Sequence, residues 1–133
     1  MNLNELIIKA REAQELSYSP YSSFKVGCAL LLKDGRIIKG ANYENASYPL
    51  SICAERSAIF TAYNLGYKKE DMECMVLAGQ SPTYISPCGA CRQVLSELYP
   101  IDAPIYLLNK DNEYIKTTIE ELLPLAFNES DLK

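Results

Sequence analysis

The residues of this chain with the most chemical content are three cysteines and one glutamate: Cys53-Ala54-Glu55 and, further along, Pro87-Cys88-Gly89-Ala90-Cys91. The sequence contains no histidine. A metal centre here must be built from thiolates or carboxylates, and a general base must be something other than imidazole. The pair Cys88-x-x-Cys91 supplies two ligands, whereas a catalytic zinc wants three protein ligands and an open position for water. Cys53 supplies the third. Glu55 then stands beside the metal without being needed as a ligand, an arrangement for activating water and moving its protons.

A bare C-x-x-C also fits a redox pair or half of a structural zinc site. A redox pair belongs in a thioredoxin-like context, which the flanking residues do not suggest. A four-cysteine structural site needs a second close pair. Cys28 and Cys74 are far apart in sequence, and both fall in predicted strands, where a cysteine reads as a small core hydrophobe. Three ligands without a sensible fourth favour the catalytic reading. Three thiolates on zinc leave the site negative, which raises the pKa of bound water when catalysis needs it lowered. Helix dipoles offset part of that charge. Arg56, next to Glu55, is the expected donor to thiolate sulfur, with Gln93 a second candidate near the metal. The plain alternative for Arg56 is an exposed helix charge.

The elements that must position these groups follow from pattern. Leu3, Leu6, Ile7, Ala10 and Ala13 have helical spacing, with Asn2 and Glu5 as cap and N3 partner, and the helix ends before Ser19-Pro20. Val26 to Leu32 and Ile37 to Ala41 flank Asp34-Gly35, a two-residue hairpin signal. Cys53 to Leu65 reads as an alanine-rich helix stopped by Gly66, and Cys74 to Ala78 as a buried strand. Gly89 to Tyr99 reads as a helix closed by Pro100, and Ile105 to Leu108 as a strand that pairs with Tyr114 to Thr117 across the polar turn Lys110 to Glu113. Thr118 and Glu121 form a capping-box pattern opening a short helix through Leu123, ended by Pro124. Asn128 to Lys133 is a polar tail with little reason to be ordered.

Cys88 and Cys91 therefore share a face at a helix start. Cys53 and Glu55, two apart, would point in nearly opposite directions on a regular helix. Cys53 is accordingly placed at the cap, where the backbone is not yet helical. Two strand–helix–strand crossovers predict parallel neighbours in the middle of the sheet, and the tight turns predict antiparallel outer pairs. The fold class is α/β: a mixed five-stranded sheet between helical layers.

At 133 residues the chain is expected to be one domain. With 48% apolar residues it can build a core and is not a disordered chain. Its net charge of -4 and scattered lysines and arginines argue against a nucleic-acid partner. No signal peptide is visible, and the longest apolar run, Val26 to Leu32, is far too short to span a bilayer. Five cysteines in such a chain point to reduced thiols and a cytoplasmic setting.

At these residues the chain resembles the small, zinc-dependent cytidine deaminases that act on free nucleosides; the zinc deaminase signature and its glutamate are a known pattern. The Cys-Ala-Glu and Pro-Cys-x-x-Cys-Arg-Gln blocks carry the likeness, together with residues 21–27 (YSSFKVG), 40–46 (GANYENA) and 122–127 (LLPLAF). The resemblance implies the three-layer α/β/α cytidine deaminase-like fold and one zinc per subunit on Cys53, Cys88 and Cys91, with Glu55 shuttling protons. It implies that Phe24 stacks near the base, that Asn42 and Glu44 bind the ribose hydroxyls, and that the Ala54 backbone reads the pyrimidine edge. It implies a homotetramer in which Tyr48 and Phe127 reach a neighbouring subunit's site. Taken singly, Phe24 would read as a core aromatic, Asn42 and Glu44 as the end of an edge strand, and Phe127 as an anchor for the tail.

The reaction implied is hydrolytic deamination of cytidine and 2′-deoxycytidine in pyrimidine salvage. Related deaminases of RNA or DNA place their last two strands parallel, joined by a helix; here only Lys110 to Glu113 separate them, which predicts a hairpin. Blasticidin-type deaminases share the zinc blocks, but Asn42-x-Glu44 and Phe127 favour a nucleoside. A non-enzymatic zinc or redox module is the alternative from a different class.

Overall fold

Continuous apolar runs along the central strands build the scaffold. The computed structural model describes residues 2–127 and 132; most of the tail expected over 128–133 lies outside the described residues. The strands are β1 (Gly27–Leu32), β2 (Ile37–Ala41), β3 (Met72–Ala78), β4 (Ile105–Leu108) and β5 (Tyr114–Thr117), and the helices are α1 (Leu3–Gln14), α2 (Ala54–Asn64), α3 (Gly89–Leu98) and α4 (Ile119–Leu122). The strands form one five-stranded sheet in the order β2-β1-β3-β4-β5.

Side chains of a strand alternate between the two faces of its sheet. Cys28, Leu30, Met75, Leu77, Ile105 and Leu107 go to one face, where they pack on Ala54, Ala58, Ile59 and Ala62 of α2, Leu95 of α3 and Ile119 of α4. Ala29, Leu31, Val76, Tyr106 and Leu108 go to the other, against Leu6, Ile7 and Ala10 of α1. The result is three layers, α/β/α, as expected. Among the described residues no helix is long and apolar enough to cross a membrane.

The middle of the sheet departs from expectation. Among neighbouring strands of the sheet only β3 and β4 are parallel; β3 pairs antiparallel with β1. The crossover through α2 does join two parallel strands, β2 and β3, but β1 lies between them. A crossover fixes the relative direction of the strands it joins, not that they be neighbours. The last pair, β4 and β5, is antiparallel as predicted.

The first hairpin also differs in its turn. Leu32 N–H donates to the Arg36 carbonyl, so three residues, 33–35, make the loop instead of two. Gly35 alone takes a positive φ, 93°, the left-handed position that follows a type I turn in three-residue loops. The β4–β5 hairpin repeats the device: Asn109 N–H donates to the Glu113 carbonyl, and Asn112 takes φ 64°. Asparagine tolerates this region better than most residues.

Candidate active site

Two helix starts meet on the α2–α3 side of the sheet. Cys53 is the N-cap of α2 (φ -82°, ψ 160°) and Cys88 the N-cap of α3 (φ -67°, ψ 167°). Cys91 lies one turn inside α3 and is fully buried. The cap position of Cys53 is the one predicted. Its extended backbone lets Cys53 and Glu55 serve one site despite a spacing of two.

The sulfurs of Cys53, Cys88 and Cys91 all lie within 4.8 Å of one another, and Cys53 Sγ stands 3.6 Å from Cys88 Sγ. Zinc bonded to thiolates at about 2.3 Å in tetrahedral geometry separates its sulfurs by roughly 3.8 Å. The donor set therefore fits zinc in number, chemistry and spacing. It leaves a fourth position that no protein group is required to fill.

Electrostatics of the thiols are set by their neighbours. Hydrogen bonding from Cys91, reinforced by Arg56 and Cys88, brings the Cys53 thiol down to about 5. The same hydrogen bond and burial push the Cys91 thiol far up. Arg56 Nη2 lies 3.8 Å from Cys53 Sγ, and its Nε is buried without a hydrogen-bond partner among the described residues. A half-buried guanidinium with an unpaired N–H has a desolvation cost, which negative charge on the thiolates offsets.

Glu55 is buried, at 4% exposure. Burial pushes its carboxyl up to about 7, with the neighbouring Cys53 charge adding in the same direction. It faces a cavity of about 240 Å³ lined by Phe24, Asn42, Glu44, Cys53, Ala54 and Cys88, with Ser22, Val26, Ile85 and Ser86 completing the walls. Residues separated by up to 66 positions (Ser22 to Cys88) thus share one chamber with a buried carboxyl and thiols of a cluster that could hold a metal.

A family model described as the cytidine and deoxycytidylate deaminase zinc-binding region matches residues 1–107. The cytidine deaminase of Halalkalibacterium halodurans is 47% identical over 132 residues, which cover 99% of this chain and 98% of that protein. That of Sporosarcina psychrophila is 42% identical, with 99% and 96% covered. The crystal structure of a cytidine deaminase from Burkholderia pseudomallei superposes with a TM-score of 0.93 at 43% identity, covering 96% of this chain and 100% of that one. The chain belongs to the cytidine deaminase family. Its cofactor is zinc, and its sheet and helical layers are those of a cytidine deaminase.

The remaining predicted site residues of this family member are placed unevenly. Asn42 Oδ1 accepts from Val26 N–H (2.9 Å) and Ser17 Oγ–H (2.6 Å), and its Nδ2 donates to the Phe24 carbonyl (2.8 Å). An amide has two N–H donors, so one remains for a ligand. Glu44 Oε1 accepts from the backbone N–H groups of Tyr21 and Ser22, 3.1 Å each, and Oε2 accepts from the Ser22 hydroxyl. These bonds, the Ser22 hydroxyl first, hold its carboxyl below the usual range. Both side chains therefore secure the segment that carries Phe24, beyond any part in binding sugar. Tyr48 is 72% exposed beside a neighbouring cavity lined by Tyr21, Ser22, Glu44 and Ser51. Phe127 is 58% exposed. Gln93 does not serve the thiols by any hydrogen bond among the described residues; its Nε2 donates to the Phe127 carbonyl at 2.8 Å. The physical reason is its place on α3, where it lines an outer surface with Phe60, Val94, Glu97 and Leu98.

Sequence reasoning missed Arg92. Its Nε donates to the Pro87 carbonyl, Nη1 to the Leu122 carbonyl and Nη2 to Ser86 Oγ, all at 2.8 Å. It clamps the residues just before Cys88 to the end of α4. Its position directly after Cys91 was the available signal, since a helix places it four residues from Cys88, on the same face. Ile85 and Ser86 carried no such signal, because their segment has no regular pattern.

Proposed function

We propose that this chain catalyses hydrolytic deamination of cytidine and 2′-deoxycytidine to uridine and 2′-deoxyuridine, with release of ammonia. The observation that carries the reading is the union, in one chamber, of a buried Glu55, two of the three clustered thiols (Cys53 and Cys88) and the Phe24–Asn42–Glu44 wall. Cys53, Cys88 and Cys91 would hold zinc, which when bound supplies the Lewis acidity that lets water lose a proton near neutral pH. Glu55 accepts that proton and hands it to the ring nitrogen beside the amino-bearing carbon. The water oxygen adds to that carbon. Glu55 then takes the remaining proton of the added hydroxyl and passes it to the amino nitrogen, the carbon–oxygen double bond forms, the carbon–nitrogen bond breaks, and ammonia leaves. One carboxylate serves both transfers because each step restores the form the next one needs. Phe24 packs against the base, the Ala54 backbone reads its polar edge, and Asn42 and Glu44 meet the sugar hydroxyls. Arg56 offsets thiolate charge.

The working form in this reading is a cytoplasmic homotetramer serving pyrimidine salvage, with no nucleic-acid or membrane partner. The large exposure of Tyr48 and Phe127 supports shared sites, because an uncovered aromatic on a small protein suits an interface. The test is a panel of cytidine, deoxycytidine, CMP, cytosine, adenosine and blasticidin S, followed by absorbance loss and ammonia release. Turnover confined to the two nucleosides of cytosine bears the proposal out. Turnover of blasticidin S or CMP in preference to them overturns the substrate assignment.

A further inference from the structure

The two walls of the cavity are tied together from behind by a pair of side chains on α1, across the sheet from α2. Gln14, at 5% exposure, donates Nε2 to the Lys25 carbonyl at 3.0 Å. Lys25 lies between Phe24 and Val26, both of which line the cavity. Gln14 Oε1 accepts from Arg11 Nη1 at 3.0 Å, and that same nitrogen donates to the Gly79 carbonyl at 2.7 Å. Gly79 is where β3 gives way to the segment that leads to Ile85, Ser86 and Cys88, the opposite wall. Arg11 Nη2 donates to the Asn109 carbonyl (2.6 Å) and Nε to Asn112 Oδ1 (2.9 Å), both in the β4–β5 turn. That region holds the same wall through two further bonds: Lys110 N–H to the Ser81 carbonyl (2.9 Å) and Ile85 N–H to the Leu108 carbonyl (3.0 Å).

The arrangement is specific in two ways. The last turn of α1 reaches the start of β1 only because residue 27 is glycine. A Cβ there would lie 2.1 Å from the Ala10 carbonyl oxygen and 2.5 Å from the Gln14 nitrogen. Arg11, moreover, is in none of the ion pairs found among the described residues. Its fork of donors is spent on two main-chain carbonyls and two side-chain amide oxygens. A surface charge would not need that geometry; a bracket gathering three segments does.

We propose that Arg11 and Gln14 are positioning residues for substrate binding, setting the separation of the Phe24 wall from the Ile85–Cys88 wall and hence the fit of the pyrimidine ring. This rests on the nucleoside deaminase reading above. Neither residue lines the cavity, so both act through the Lys25 and Gly79 carbonyls.

The test compares three variants of the zinc-loaded full chain. Gln14→Met keeps bulk and removes both hydrogen bonds. Arg11→Lys keeps the charge and loses the fork. Leu6→Ala removes buried packing from the same helix and is the control for general loosening. Hydrogen exchange should rise over residues 24–26 and 80–86 in the first two and not in the control. KM for cytidine should rise about tenfold, on the order of one buried hydrogen bond. Zinc content and kcat should hold, because neither side chain contacts Glu55 or the cysteines. Unchanged exchange and KM in both variants overturn the proposal. So does a loss of thermal stability matched by Leu6→Ala with KM unmoved. If Gln14→Met does not fold, Arg11→Lys decides. An unsubstituted protein inert toward cytidine would sink the preceding reading instead, and the exchange measurement would still decide the bracket.

Discussion

Gly40 of β2 lies so close to the first turn of α2 that a Cβ on it would stand 2.5 Å from both the Ala54 carbonyl oxygen and the Ala58 nitrogen. Those are backbone atoms, which cannot rotate aside. The turn that must retreat is the one carrying Cys53 and Glu55. Gly40→Ala should therefore cost about 1–3 kcal/mol of stability as an overpacked contact. Its effect on rate should be larger, on the order of 10²-fold, because a shift near 1 Å at a reacting group costs that much. Thermal unfolding and turnover, measured on the same preparation, check both. Full activity would mean that α2 can pivot without moving the site.

Glu55→Gln should keep zinc and fold, because the three thiols form a complete protein ligand set by themselves. Turnover should fall by at least the roughly 10²–10⁴-fold associated with a general acid–base group. Metal analysis beside the assay separates the cases. Loss of zinc from a folded Glu55→Gln protein would make the residue a ligand and the mechanism wrong.

For Arg56 the matched control is Arg36, an exposed residue flanking the β1–β2 turn. Arg56→Gln should weaken zinc retention against a chelator, or lower turnover, more than Arg36→Gln does. The cause is the Arg56 Nη2 contact with Cys53 Sγ at 3.8 Å. Equal, negligible effects of the two substitutions would return Arg56 to an ordinary helix charge.

Cysteine substitutions should divide by location. Cys88→Ala should abolish tight zinc binding and activity. Cys28→Ala should leave one zinc per chain and cost roughly 1 kcal/mol, the ordinary scale of a core truncation, since Cys28 is fully buried in β1 among apolar neighbours. Zinc stoichiometry below one in folded Cys28→Ala would move that cysteine into the metal site.

Shared sites predict complementation. Glu55→Gln and Phe127→Ala chains, each impaired, should regain activity when refolded together, since a hybrid site combines an intact Glu55 from one chain with an intact Phe127 from another. Mixed oligomers confirmed by mass, with activity no greater than the sum of the separate preparations, would confine Phe127 to its own chain.

Local chemistry was legible without a structure. Cys53 reads as a cap and Cys88 as part of a helix start, and both are N-caps, because where a helix begins depends on a few adjacent residues. The same holds for Asn2, whose Oδ1 accepts from Glu5 N–H at 3.2 Å, and for Thr118, whose hydroxyl accepts from Glu121 N–H at 3.4 Å. Strand existence followed from apolar runs bounded by turn signals, down to the unchanged bounds of β2, β4 and β5. The absence of histidine limited a metal site to thiolates or carboxylates and a general base to something other than imidazole.

Partner choice beyond the two hairpins was not legible. An apolar run says that β3 is buried but not that β1 will separate it from β2, because strand pairing is settled by sheet-wide packing across long stretches of chain. The same limit hid Arg92 and the Arg11–Gln14 pair. An arginine's donors are identical wherever it sits, and the carbonyls that take them here lie 5, 30, 68 and 98 residues away. It also concealed how far Asn42 and Glu44 are committed to the Tyr21–Val26 segment before any ligand arrives. Residue type and spacing determined the reaction chemistry this chain can support. Only the tertiary structure decided the shape of the chamber, since that shape depends on hydrogen bonds between segments the sequence keeps apart.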